Sequence, residues 1–479
     1  MRREIFIRKI ADEIADGNLA IFAGAGLSVA SGGVTWSNLL KDAADELGLD
    51  IEREGDLISL TQFYVNSKNN NRGGLAQHIY NKLNLRDAAP NINHEILARM
   101  PITDYWTTNY DNLIETALER ENKLPDVKSD VSQFLRTVRG RDAIVYKMHG
   151  DIENPNRVII TRRDFESYHE THTQFINTLY GDLTTKTFLF VGLSFTDPNL
   201  FYVLSRVRVK YELDQREHYA VIKKFSEEDF KTKDEFDYAN VRQELFIKDL
   251  VNYNISVFLI DEHKDLTELL REIERRYKRN AIFLSGSAHE YGIHTVEDAA
   301  QILEFVIDNQ FKNKRRIING YGLGFGDLVI GAAVRKIANT PFRSLQDYIT
   351  IRPFPQQTPQ GEDLGKLWTS YRKDMISRAG IAVFMYGNKL KDGLTIDANG
   401  VYEEFQICRE NGVIVVPVGA TGFITQKIWQ EVDRNFEEYY GSQPQSFRDA
   451  FSSLNDSGTP EEIAQRVNKF IGMISERSL

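Results

Sequence analysis

The chain has 479 residues, and at roughly 100–200 residues per domain that length argues for two to four domains rather than one. With 42% hydrophobic residues, 27% charged residues and 12 prolines, the composition is that of a globular protein and excludes wholesale disorder or a fibrous repeat. The balance of 59 basic against 69 acidic residues, a formal charge of −10, repels a phosphate backbone and argues against nucleic acid as a partner, while allowing a local pocket for a small anion.

The single cysteine, Cys408, cannot form an internal disulfide or supply a cysteine-rich zinc site. Acidic residues interrupt the amino-terminal segment within a few turns, unlike a signal peptide. No run approaches the roughly 18 apolar residues of a membrane span. A cytoplasmic protein with no membrane partner is expected.

In chain order, helical spacing of apolar residues from Ile5 to Ile14, stopped at Gly17-Asn18, leads into a strand at Leu19–Ala23. Gly24-Ala-Gly26-Leu-Ser28 follows, then a helix over Trp36–Leu47, and a loop at Asn69–Asn71 with Gly73-Gly74. Short apolar strands are expected at Asp104–Asn109, Ala143–His149, Thr187–Gly192 and His218–Ile222, separated by helices as in a parallel sheet with its working residues at the strand carboxyl ends. Leu266–Asn280 is an amphipathic helix ending in a basic cluster, after which the alternation restarts. Strands follow at Ala281–Ser285, Arg315–Gly320, Tyr348–Arg352, Ile381–Tyr386 and Val413–Pro417. The fold class is therefore α/β with two Rossmann-like parallel-sheet domains, residues 1–279 and 280–479.

Gly24-Ala-Gly26 at the end of a buried strand lets the backbone turn tightly and approach a pyrophosphate. Val29 stands where the dinucleotide fingerprint has its third glycine, so this motif alone fits a ligand-free turn equally well. Together with Thr107-Thr-Asn-Tyr-Asp111, Lys147-Met-His-Gly150 and Gly192-Leu-Ser-Phe-Thr-Asp-Pro-Asn199, it resembles the sirtuin-like NAD-binding domain in its zinc-free bacterial form, over residues 5–260. The resemblance implies that Gly24, Ala25, Gly26 and Ser28 hold the NAD pyrophosphate, that Asn109 and Asp111 line the nicotinamide-ribose pocket, that His149 is the catalytic histidine, and that Gly192 and Ser194 touch the adenosine half. Protein-deacylating sirtuins carry a four-cysteine zinc module. One cysteine cannot supply it, so no zinc is expected, water becomes the acceptor, and NAD+ is a substrate rather than a retained cofactor.

The residue chemistry suits that reaction. Nicotinamide leaves neutral and needs no general acid, so catalysis reduces to stabilising an oxocarbenium-like centre and delivering a nucleophile. Asn109 can orient a water or a ribose hydroxyl, and His149 can accept its proton. Asp111 either stabilises charge on the ribose or fixes the loop, and Asn109 also fits an Asx turn. Asp197-Pro-Asn199 reads as a turn and helix start.

In the second half, Gly320-Tyr-Gly-Leu-Gly-Phe-Gly326 and Ser285-Gly-Ser287-Ala288 both follow strands, so two loops can converge on an anion at the sheet edge. With Arg352-Pro-Phe-Pro355, Tyr371-Arg-Lys-Asp-Met375, Gly387-Asn-Lys389 and Glu403-Glu-Phe405, this half resembles a SLOG nucleotide-sensing domain. The whole chain resembles the NAD-cleaving effectors of bacterial Thoeris anti-phage systems. That resemblance implies NAD+ hydrolysis switched on by a cyclic ADP-ribose isomer from a TIR-domain partner, in a homo-tetramer. It also implies that Ser285, Gly286, Ser287, Gly322 and Gly324 lie beneath the activator's phosphates, with Arg372, Lys389 and Glu404 as further contacts. From the residues alone, Arg372 and Lys389 fit solvated positions as well, and helix phase leaves Glu403 and Glu404 as alternatives. A NAD-dependent protein deacylase, disfavoured by the missing zinc ligands, and a non-catalytic nucleotide sensor are the rival readings.

Overall fold

A computed structural model describes residues 1–32, 35–83, 89–338, 344–357 and 363–477. The chain divides into two units, Met1–Glu274 and Arg275–Leu479. The division falls inside the helix His263–Lys278, five residues before the expected boundary.

The first unit is built on seven parallel strands: β1 (Leu19–Ala23), β2 (Asp104–Thr107), β3 (Pro125–Lys128), β4 (Ala143–Lys147), β5 (Thr187–Val191), β6 (His218–Lys223) and β7 (Ile255–Ile260), in the order β3-β4-β2-β1-β5-β6-β7. Every residue of β1 is buried, as a continuous apolar run requires when helices cover both faces of a sheet. It pairs with β2 on one side, Ile21 opposite Tyr105, and with β5 on the other, Ile21 opposite Leu189. The chain therefore builds outward from β1 in one direction and later returns to build in the other. Such a reversal leaves a crevice at the carboxyl ends of the central strands.

Three helices, Trp36–Glu46, Leu57–Ser67 and Gly73–Leu83, pack on one another through Leu39, Leu40, Leu60, Tyr64 and Leu75. Burying each leucine contributes about 1.5–3 kcal/mol. Gly73 and Gly74 begin the third of these helices rather than lying in a loop. Asn71 Oδ1 accepts from the Gly73 N–H at 2.7 Å and so starts the helix directly after the turn. Two strands of this unit were not expected. β3 opens on proline and carries Asp126 and Lys128, which bury as an ion pair at 2.7 Å, and β7 is an additional apolar edge strand.

The second unit holds β8 (Ala281–Ser287), β9 (Arg316–Asn319), β10 (Ile349–Ile351), β11 (Ile381–Tyr386) and β14 (Ile414–Pro417) in a parallel sheet of order β10-β9-β8-β11-β14, plus an antiparallel hairpin of β12 (Asn388–Lys391) and β13 (Leu394–Asp397). Its core runs through Phe283, Val383, Phe384, Phe405 and the helix Pro460–Glu476. Cys408 is buried and free. Among the described residues no helix is long and apolar enough to cross a membrane.

Candidate active site

A cavity of about 710 Å³ opens at the carboxyl edge of the seven-stranded sheet. Ala25 and Gly26 after β1, Asn109 after β2, His149 after β4, Gly192 and Ser194 after β5, and Lys223 at the end of β6 all line it. Trp36, Leu57 and Ile58 of the helical layer and Phe165 form part of the wall, as do Asp56 and His263. The volume falls within the range of small-molecule and cofactor sites.

Asn109 is held from two sides. Its backbone N–H donates to Thr107 Oγ1 at 2.9 Å, and its side-chain Nδ2 donates to Ser28 Oγ at 3.2 Å. The amide thus has a fixed orientation set from another loop, rather than the local Asx turn that its position allows. Ser28 is buried behind Asn109 and, like Gly24, lies outside the cavity lining. Asp111 is also outside it. Its carboxylate accepts from the Leu113 N–H at 3.2 Å and its carbonyl from Lys147 Nζ at 2.7 Å, so it fixes the loop that carries Asn109.

His149 is 2% exposed. Phe165 meets its ring edge-on at 5.3 Å, and its carbonyl accepts from the Ile159 N–H at 2.9 Å. Its Nε2 lies 2.9 Å from Asp197 Oδ2. Asp197 caps the helix Pro198–Tyr211, accepting from the Leu200 N–H at 2.7 Å, and also lines the cavity. The helix start read from Asp197-Pro is therefore real, and the same carboxylate faces the histidine. Burial pushes the Asp197 carboxyl up, but the His149 ring and the N–H groups of Leu200 and Asn199 outweigh it and hold it below the usual carboxylate range.

The glycines of the two loops meet each other. The Gly26 N–H donates to the Gly192 carbonyl at 2.9 Å, and a Cβ on Gly24 would stand 2.5 Å from that same oxygen. Gly192 has φ of +63°, and a Cβ there would stand 2.2 Å from Leu27 N. Close passage of two backbones thus demands these glycines before any ligand is considered. The helix that follows the first loop, Ala25–Ser28, is a single turn.

In the second unit the two expected loops do converge: the Ala288 N–H donates to the Leu323 carbonyl at 2.8 Å. Cβ atoms on Gly322 and Gly324 would stand 2.1 and 2.0 Å from the carbonyls of Gly286 and Ala288. Ser287 Oγ donates to the Asn388 carbonyl at 3.0 Å. Beside them lies a buried ionic cluster. Ser285 Oγ donates to Glu404 Oε2 at 2.6 Å, Arg372 Nη1 meets Glu403 Oε2 at 2.9 Å, and Arg372 Nε stands 3.5 Å from Glu404 Oε1. The Arg372 guanidinium also covers the Phe354 ring at 4.8 Å. Helix phase is now fixed, with Glu404 pointing inward and Glu403 on the flank, both on Arg372. Arg372 is buried, not solvated. Burial pushes the Glu404 carboxyl up, against the opposing pull of Ser285 and Arg372. Lys389 lies on β12, opposite Ile396.

Residues 103–243 match the profile of the SIR2-like domain, and residues 265–474 match that of the Sir2- and TIR-associating SLOG family. Over 473 residues the chain is 43% identical to the NAD(+) hydrolase ThsA of Bacillus cereus (strain MSX-D12), covering 98% of both chains. The chain belongs to the ThsA family. The ThsA proteins of Acinetobacter baumannii (strain 532279) and Enterococcus faecium are 40% and 37% identical to it, with 98% and 99% of this chain and 99% of each relative covered. The SIR2-like match begins at residue 103, so the glycine loop after β1 lies outside it. Outside the expected set, the cavity gains Trp36, Leu57, Ile58, Phe165, Asp197 and Lys223. Asp197 lies within the Gly192–Asn199 motif, where its capping signal masks its second contact. The helical residues had no signal beyond their apolar spacing.

Proposed function

We propose that the first unit hydrolyses NAD+ to nicotinamide and ADP-ribose. One observation carries this reading: a fixed amide, Asn109, and a buried imidazole, His149, line the same dinucleotide-sized cavity as the paired glycine loops. The naming of the similar ThsA proteins as NAD(+) hydrolases supports it. The C1′–N bond breaks with its electron pair passing to the ring, which leaves as neutral nicotinamide. A water oriented by Asn109 adds to C1′ and gives a proton to His149. Gly26 and Gly192 approach the pyrophosphate and Ser194 the adenosine half. Asp111 and Ser28 act one step back, by holding Asn109.

The second unit is the switch. A cyclic ADP-ribose isomer, made by a TIR-domain partner during phage infection, enters at the converging loops. Arg372, Lys389 and Glu404 engage it, and NAD+ is then depleted in the cytoplasm by a homo-tetramer. The Sir2- and TIR-associating SLOG match supports a ligand sensor there. Because Arg372 and Glu404 are already paired with protein groups, the activator must exchange those contacts for its own. It switches the enzyme by binding the active arrangement more tightly than the resting one.

Nicotinamide release from NAD+, with and without the cyclic isomer, tests both parts. Asn109→Ala and His149→Ala each lower activated release at least about 100-fold, and Arg372→Ala leaves it unresponsive to the isomer. Parent-like release from either of the first two overturns the active-site assignment. A parent-like response from the third overturns the sensor assignment.

A further inference from the structure

Asp197 uses its two carboxylate oxygens for separate tasks. Oδ1 accepts from the Leu200 N–H at 2.7 Å and caps the helix Pro198–Tyr211. Oδ2 stands 2.9 Å from His149 Nε2, with the two side chains 9% and 2% exposed. Capping needs one acceptor oxygen and no charge, since serine and asparagine cap as well as aspartate. A buried ionised carboxylate is costly unless it faces a cation. Among the described residues, the side chain within ion-pair distance of Asp197 is His149, whose ring becomes a cation only on protonation. Neither ring nitrogen of His149 makes a hydrogen bond of full geometry among them; Nε2 is within ion-pair distance of Asp197 and Nδ1 is left unpaired, and the ring lines the cavity. One edge of the imidazole thus meets an anion while the other is left able to accept.

We propose that Asp197 is the positioning residue of the reaction: it sets the orientation of the His149 ring and stabilises the imidazolium formed when Nδ1 takes a proton from the attacking water. The inference rests on the reading of His149 as the base. In that step the water oxygen bonds to C1′ as the C1′–N bond breaks, the nitrogen keeps the electron pair, and the water proton moves to Nδ1. The positive charge created on the ring then lies beside Oδ2. A preorganised anion at that point acts where charge develops and needs no reorganisation. The N–H groups of Leu200 and Asn199 favour the ionised carboxylate independently of the ring's charge.

Asp197→Asn in the full-length chain separates the two tasks, because the amide oxygen can still cap the helix while the charge beside His149 is lost. With NAD+ and the cyclic isomer, its kcat for nicotinamide release falls about 10²- to 10⁴-fold, as for a removed electrostatic partner of a catalytic histidine. KM changes less than about threefold, and the thermal midpoint stays within about 2 °C of the parent. Should the asparagine variant unfold early, Asp197→Ser keeps a capping oxygen and shows the same kcat loss. Parent-like kcat in a folded Asp197→Asn protein, with His149→Ala inactive, reduces Asp197 to a cap and overturns the proposal. An active His149→Ala protein overturns the reading beneath it instead.

Discussion

Lys147 has none of its side chain exposed and sits between two carboxylates, 3.0 Å from Glu115 and in contact with Asp151. It also donates to the carbonyls of Tyr110 and Asp111 at 3.3 and 2.7 Å. Burial alone lowers its affinity for a proton, but Glu115 and Asp151 outweigh that and hold it above the usual lysine range. One ammonium therefore ties the loop bearing Asn109 to the end of β4, two residues before His149. Lys147→Met keeps much of the volume and strands two buried carboxylates. A loss of about 3–5 kcal/mol follows, as for other broken buried pairs. Calorimetry of the full chain checks it: the midpoint of the first unit falls by roughly 10 °C at 2–4 °C per kcal/mol. An unchanged midpoint shows that the carboxylates find other partners.

Between elements, the decisive contact is the passage of the loop after β1 over the loop after β5. Gly192→Ala combines φ of +63° with a Cβ 2.2 Å from Leu27 N and 2.7 Å from Gly26 C, both backbone atoms that cannot rotate aside. The loops must part, so KM for NAD+ rises at least about tenfold and stability falls by more than the roughly 1 kcal/mol of a routine substitution. Gly181→Ala is the control: its Cβ meets nothing within 4 Å inside the helix Thr173–Thr185, and the exchange stabilises by about 0.4–1 kcal/mol. Equal thermal midpoints and KM values for the two variants dismiss the loop contact as a determinant. The same contact shows what a sequence discloses. β1 and β5 are legible because strands buried on both faces are unbroken apolar runs, and the glycines ending them mark the turn. β3 is not legible, since Asp126 and Lys128 neutralise one another only once the fold has placed them and Arg141 together. The β12–β13 hairpin carried a signal in Asp392-Gly393, whose φ values of +53° and +77° suit a tight hairpin turn. Asn109 and His149 could be found by motif. Trp36 and Leu57 come to the cavity from helices whose placement depends on tertiary packing, for which spacing gives no coordinate.

Acid stability belongs to the first unit as a whole, because two of its nine-tenths-buried histidines are held neutral at separate points of the fold. His218 begins β6, accepts the Phe188 N–H on Nδ1 at 3.1 Å and packs edge-on against Phe188 at 5.8 Å. Burial, reinforced by the Arg216 charge, pushes its pKa down to about 3. His94 closes the capping box of the helix Ile92–Arg99, and burial pushes it to about 4 against the opposing charge of Asp111. Both values lie below the roughly 6.5 of an exposed histidine, so the unfolded chain takes the protons first. Their contribution is complete above pH 6.5 and drains away as the pH falls, by a little over 1 kcal/mol per pH unit for each ring until its folded value is reached. Asp197 and Asp126, held low by their partners, add losses only below about pH 4. Glu115 and Asp182, both pushed up by burial, act in the opposite sense, so a single curve does not isolate the histidines. A comparison does. Between pH 6 and 4, the stability of His218→Gln falls by about one proton's slope less than the parent's, read from midpoints across that range. Superimposable slopes would show that this ring is protonated inside the fold. Since neither ring costs stability above pH 6.5, an acid limb in NAD+ cleavage near neutrality reports a group in the cavity rather than loss of the sheet.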